Sequence, residues 1–155
     1  MKKYFVQFMT VVAALVLVAC STSDDDDDNS GNYDIKAMID GNLIEVNQSG
    51  DVVTHIIYPD NTVNITAYNS NGQGFTLWLD EVVTLGVYDL SDMDVTIAYI
   101  KNAAINDHYY FEEGTMTITE FDYQNGLQFN ATFSGVAGFG DDPYTITGGV
   151  ADIDL

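Results

Sequence analysis

The chain has no arginine and only four lysines, Lys2, Lys3, Lys36 and Lys101, against 24 Asp and Glu. That balance leaves nothing to neutralise a phosphate backbone, which needs clustered Lys and Arg for counterion release, so nucleic-acid binding is excluded. The same field opposes adhesion to anionic lipid headgroups. Cys20 is the one cysteine, so no internal disulfide can staple the fold, and no other thiolate is present for catalysis or metal binding. Long apolar runs are equally scarce. Tyr4 to Ala19, broken by Gln7 and Thr10, falls short of the roughly 20 apolar residues that a spanning helix needs, and no later stretch approaches that length. From Tyr33 onward no 3.6-residue apolar repeat is sustained, which argues against a helical core.

What the first residues do contain is ordered. Lys2-Lys3 precede the apolar run, and Ala19 precedes Cys20, so residues 1–19 are expected to form a signal peptide. Leu17-Val18-Ala19-Cys20 resembles the bacterial lipobox, which implies cleavage before Cys20 and acyl chains on its thiol. The mature chain would then set Lys36 and Lys101 against all the acids, a net charge of 2 minus 24, or -22. Ser21 to Asn32 holds Ser, Thr, Asp, Asn and Gly and cannot bury an apolar face, so residues 20–32 are expected to be a lipidated cysteine on a solvated, self-repelling tether. Ser23-Asp24-Asp25-Asp26-Asp27 resembles the acidic export signal that follows the lipid cysteine in surface-exposed lipoproteins of the Bacteroidota. The resemblance implies an outer-membrane lipoprotein facing the extracellular medium. A plain spacer is the alternative for the aspartates. A calcium site is a poorer one, because contiguous carboxylates on a flexible chain repel one another.

Residues 33–155 read as one domain of strands and turns. YDIKAMI and NLIEV flank Asp40-Gly41, a two-residue hairpin signal. TVNITAY sets Val63, Ile65 and Ala67 against Asn64, Thr66 and Tyr68, and GFTLWLD sets Phe75, Leu77 and Leu79 against Thr76, Trp78 and Asp80, as half-buried strands do. DVTIAYI, GTMTITEF and GLQFNATFSG continue the pattern, with Asn125-Gly126 as a further turn. In YTITGGVADIDL the apolar phase changes after Gly148-Gly149, which predicts a bulge there. About nine or ten short antiparallel strands with one apolar face each describe an all-β sandwich; a closed antiparallel β-barrel is the alternative.

Ala37 to Gly41, Gly86 to Leu90, Gly114 to Thr119 and Phe129 to Gly135 together resemble the strand and turn motifs of a group of small, uncharacterised Bacteroidota surface lipoproteins. The resemblance spans nearly the whole domain and implies architecture and location; it supplies no ligand and no site residues.

Chemistry-bearing patterns are sparse. No Gly-x-Ser-x-Gly turn presents a serine, so a nucleophilic hydrolase lacks its local signature. His55 and His108 are not spaced as a metal-binding pair, and on VVTHIIY, His55 alternates with Val53 and Ile57 as a partly buried histidine would. Glycoside hydrolysis needs two carboxylates at a set separation, for which Glu112-Glu113 and Asp80-Glu81 are weak candidates, fitting exposed loops better. Asp89, Asp92 and Asp94 around Ser91 form a candidate Ca2+ turn, as hard cations favour several carboxylates, with Asp141-Asp142 a lesser one. They lack the glycine and the distal glutamate of an EF-hand. Trp78, on the face of Thr76 and Asp80, is the better candidate for ligand contact. An exposed indole among polar groups can stack a sugar ring, and Tyr109 and Tyr110 could join it. The alternative is that Trp78 packs under a loop or another sheet.

The expectation is therefore a surface-exposed outer-membrane lipoprotein whose domain is a non-catalytic ligand-binding module, for glycans in the first instance, with no required cofactor. A structural or accessory subunit of an outer-membrane protein complex is the alternative, and a hydrolase with a carboxylate site the third reading. Acids converging in a pocket would favour the enzyme, a flat aromatic strip the glycan, and a bare hydrophobic sheet edge a partner protein.

Overall fold

The computed structural model describes residues 34–155 except 82, 125, 139 and 141. Cys20 and the acidic run from Ser23 to Asp28 lie outside the described residues, as do Asn125 of the expected Asn125-Gly126 turn and Asp141 of the Asp141-Asp142 pair. The strands are β1 (Ile35–Ile39), β2 (Asn42–Val46), β3 (Val52–Ile57), β4 (Val63–Tyr68), β5 (Gly74–Leu79), β6 (Gly86–Asp89), β7 (Val95–Asn102), β8 (Asp107–Asp122), β9 (Gln128–Ala137) and β10 (Tyr144–Asp154), with one 3-10 turn at Ala103–Ile105.

The domain is all-β and antiparallel, as the alternation requires. Its strands follow one path, β2-β1-β10-β9-β8-β7-β5-β4-β3, with β6 paired to β8, in a sheet that is nearly closed and barrel-shaped. The two facing layers are thus halves of one curled sheet that share β8. Residues Asp107 to Tyr110 of that strand pair with β7, and Thr115 to Ile118 pair with β6. Its length from Phe111 to Asp122 pairs with β9. The bend lies at the register shift between Phe111 and Glu113, beside Gly114 at φ 139. There the two backbones come so close that a β-carbon on Gly114 would stand 2.2 Å from the Ser134 carbonyl oxygen, and one on Gly135 2.2 Å from that of Glu113. Only glycine on both strands permits this approach.

The turn chemistry agrees with the reading of the residues. Asp40 and Gly41 have φ 49 and 79, the paired positive values of a type I′ hairpin. Asp40 is also tied to β10, its amide donating to Thr145 O at 2.9 Å and its Oδ1 accepting from Thr145 N at 2.8 Å. The bulge expected at Gly148-Gly149 is present: pairing to β9 passes from Ile146–Gly135 to Gly149–Phe133. It lets Ile146 on one side, and Ala151 and Ile153 on the other, all face inward.

One apolar cluster fills the interior. Phe75, Leu77 and Leu79 of β5 are fully enclosed, as are Met116, Phe129 and Leu127. Phe75 meets Phe133 edge to face, centroids 5.2 Å apart, which links the two halves of the sheet. Large aromatic area buried in this way dominates the energetics of such a core.

Candidate ligand-binding face

Strand pairing decides which side chains share the outer face of the β3-β4-β5-β7-β8 half. Asn64 stands opposite Trp78 and Thr66 opposite Thr76. Across β7, Trp78 pairs with Thr96, Thr76 with Ala98, and Ala98 with Tyr110. Trp78 and Tyr110 therefore flank β7, whose residues between them on this face are the small Thr96 and Ala98. With no bulk in the way, the two rings stack, centroids 6.0 Å apart and planes at 27°. The indole is half-buried, whereas Tyr110 retains 46% of its exposure.

Beside the rings lies a closed polar network. Asn64 Nδ2 donates to Thr76 Oγ1 at 3.2 Å and to Leu77 O at 3.0 Å, Thr66 Oγ1 donates to Asn64 Oδ1 at 3.3 Å, and the Thr66 and Thr76 hydroxyls lie 3.0 Å apart. Asn64 and Thr76 are buried, so the centre of the face is a firm floor, its polar groups satisfied as burial demands. On β3 the same face carries Val52, Thr54 and Ile56. Among the paired positions of β3, β4, β5 and β7 on this side there is no Asp or Glu; Asp80 and Asp94 lie beyond the strand ends, and on β8 Glu112 follows Tyr110 by two residues at the bulge.

Tyr109 does not join this face. It is adjacent to Tyr110 on one strand, and adjacent strand residues point to opposite sides. It lies inward, opposite Tyr99, with its ring 4.7 Å from that of Tyr144. Lys101 Nζ sits 5.4 Å from the Tyr144 ring centroid. A hydrogen bond to Tyr144 raises the Lys101 pKa, and burial raises those of Tyr99 and Tyr109. Burial thus favours the neutral phenols of Tyr99 and Tyr109 in this cluster, which Lys101 and Asp107 flank.

The acids expected to carry chemistry are dispersed or engaged. Asp89 Oδ1 accepts from Ser91 N at 2.9 Å and from Ser91 Oγ at 2.7 Å, bonds that lower its pKa. It caps its own turn. Asp89, Asp92 and Asp94 are not drawn together: among the described residues no three His, Cys, Asp or Glu form a group able to hold a metal. Asp80 Oδ1 accepts from Glu81 N at 2.7 Å, and both residues are exposed. Glu112 and Glu113 lie at the β8 bulge. His55 pairs with Ile65 on β4 and His108 with Ile100 on β7, and β4, β5 and β7 separate their strands.

An open trough of about 560 Å3 crosses the outer face of β8, β9 and β10 and includes Glu120 and Asp122. Glu120 Oε2 accepts from Asn130 Nδ2 at 2.6 Å and Asp122 Oδ1 from Gln124 N at 2.9 Å. Among the described residues Asp34 is the buried carboxyl. Its pKa is raised by burial, with Asp152 and Asp51 adding repulsion, against a lowering bond from Gln48 N. Compared with protein-family models, with curated proteins and with solved structures, the chain finds no match in any of the three.

Proposed function

We propose that the protein is a lipid-anchored lipoprotein of the outer-membrane surface that binds a neutral glycan, without catalysis, on the outer face of β3, β4, β5, β7 and β8. The observation that carries this reading is the Trp78–Tyr110 stack beside paired positions of β3, β4, β5 and β7 that hold no carboxylate. A sugar offers apolar C–H faces to such rings and hydroxyls to the polar groups around them. A chain of such negative charge would repel an anionic polysaccharide, which selects a neutral one. Lipid attachment and surface display rest on the lipobox and acidic-signal resemblances at Cys20 and Ser23 to Asp27.

Gly31–Leu155 is one compact unit and holds the whole apolar cluster, so it can be studied alone. Thermal unfolding of this unit against neutral polysaccharides is the test, since a ligand of the native state raises the midpoint. A rise abolished by Trp78→Ala is expected; no rise with any glucan, mannan or xylan would defeat the glycan reading. For location, Cys20→Ala in the full chain should release it from membranes, and Asn in place of Asp24 to Asp28 should protect it from protease added to intact cells. Membrane retention after carbonate washing, or unchanged digestion, would overturn the anchor and the export signal respectively.

A second reading has its own observation. β3 is a terminal strand of the sheet with Val52, Ile56 and Ile57 exposed, and such an edge suits an added strand from a partner in an outer-membrane complex. Co-purification of one stoichiometric envelope protein, lost on Ile56→Lys, would favour it.

A further inference from the structure

At the end of the same face, three loops enclose a cleft of about 400 Å3. They are the β2-β3 and β4-β5 connections and the segment entering the 3-10 turn, and Tyr68 forms part of the wall. The loops are fastened to one another. Ser70 N donates to Asp51 Oδ1 at 3.0 Å, Ala103 N to Gly72 O at 2.9 Å, and Asn69 Nδ2 to Glu45 O at 3.2 Å. Within the β4-β5 turn, Asn69 Oδ1 accepts from Asn71 N at 3.0 Å and Gln73 N at 3.1 Å. Gly72, at φ +76, lets the second and third loops touch, for a β-carbon there would lie 3.3 Å from Ala103 N. The cleft is therefore shaped before any ligand arrives, which lowers the ordering cost of binding.

Apart from one carboxylate, its polar groups are neutral and two-sided. The side chains of Ser70 and Asn71 are exposed and make no hydrogen bond among the described residues, leaving a hydroxyl and an amide that both donate and accept. Asp51 is the one carboxylate in the lining, and its Oδ2 accepts from Asn47 N at 2.9 Å. A hard cation needs more oxygen charge than that, and an anion would find no positive group. Sugar hydroxyls match mixed donors and acceptors beside an aromatic wall. Tyr68 also belongs to the outer face, four residues along β4 from Asn64, which opposes Trp78. At about 3.4 Å per residue the ring pair and the cleft are about 14 Å apart along the strands, joined by the Asn64-Thr66-Thr76 floor.

We infer that this cleft is a second sugar subsite, so that the protein grips an extended glycan along the face, with Trp78 and Tyr110 at one end and Tyr68, Ser70 and Asn71 at the other. This rests on the glycan reading above. The test is calorimetric titration of Gly31–Leu155 with linear β-1,4-linked gluco-, manno- and xylo-oligosaccharides of two and six units. The six-unit chain of one series should bind roughly tenfold tighter than its two-unit form, the worth of two additional hydrogen bonds. A Ser70→Ala, Asn71→Ala double variant, whose altered side chains support nothing else, should abolish that increment and leave the two-unit affinity unchanged. Length-independent affinity, or a six-unit affinity untouched by the double variant while Trp78→Ala still abolishes binding, would overturn the second subsite and leave the first standing. Absence of binding by all three series to the unaltered domain would overturn both.

Discussion

Phe75 and Trp78 lie three residues apart on β5 and face opposite sides of it, so truncating each to alanine separates the core from the outer face. Phe75 is fully enclosed, with Phe133 5.2 Å away and Tyr99 6.0 Å away; removing such a ring costs about 3–5 kcal/mol. Trp78 loses its stack on Tyr110, worth about 0.5–1.5 kcal/mol, and part of its buried area, so about 1–2 kcal/mol is expected in all. A domain of this size loses about 4 °C of midpoint per kcal/mol. Phe75→Ala should therefore lower the midpoint by about 12–20 °C and Trp78→Ala by about 4–8 °C. Trp78 is the only tryptophan, so its variant has no indole fluorescence, and the melts are followed by far-ultraviolet circular dichroism. A loss on Trp78→Ala as large as that on Phe75→Ala would mean that the indole is a second core. The outer face would then not be free for a ligand, and Trp78 could not serve as its platform.

Other perturbations probe the rest of the architecture. Gly135→Ala forces a β-carbon against the Glu113 carbonyl oxygen at 2.2 Å and should cost about 3 kcal/mol. Gly50→Ala meets nothing within 4 Å and should stay within about 0.5 kcal/mol of the parent in urea titration; equal effects would refute the bend at β8. Asp34, with its folded pKa raised above the ordinary 3.8, binds its proton more tightly folded than unfolded. Its favourable contribution is complete below 3.8 and is lost as pH rises through the folded value. Asp34→Asn keeps an acceptor for Gln48 N and removes the repulsion from Asp51 and Asp152, so it should raise the midpoint at pH 7 and lose that advantage in acid. An advantage equal at both pH values would refute the account. The uncharged β3 edge, guarded by long-range repulsion that salt screens to about 3 Å at 1 M, should support self-association in high salt. Sedimentation that stays monomeric in 1 M NaCl, or association unaffected by Ile56→Lys, would refute it.

Most of the strands were legible because their signals are local. The alternation of Phe75, Leu77 and Leu79, the positive φ values demanded by Asp40-Gly41, and the phase change at Gly148-Gly149 each need only neighbouring residues. β8 was less legible. Asp107–Asp122 is one strand of 16 residues, but Gly114 reads as a breaker and the bulge at Glu112 shifts the phase, so its first half resembles a polar loop. Once the strand is recognised, Tyr109 and Tyr110 must diverge. Tyr110 could be named beside Trp78 from the residues, but their stacking could not, because it depends on β7 lying between β5 and β8 and on that strand offering Thr96 and Ala98 where larger residues would hold the rings apart. The cleft draws on three separate loops, and none of its residues forms a motif alone.

Charge distribution was hidden for the same reason. Composition supplies a strongly acidic chain, from which a uniformly acidic surface would be the simplest expectation. Pairing instead collects Val52, Thr54, Ile56, Asn64, Thr66, Thr76, Trp78, Thr96 and Tyr110 on one side and leaves the carboxylates to turns, strand ends, the β8 bulge and the remaining faces. In a protein whose surface repels anions at long range, that neutral strip is where a neutral polymer can approach without displacing counterions or desolvating a carboxylate. The net charge then keeps copies of the chain apart, while the strip, hydrogen-bonded within itself and capped by two rings, stays open to a ligand.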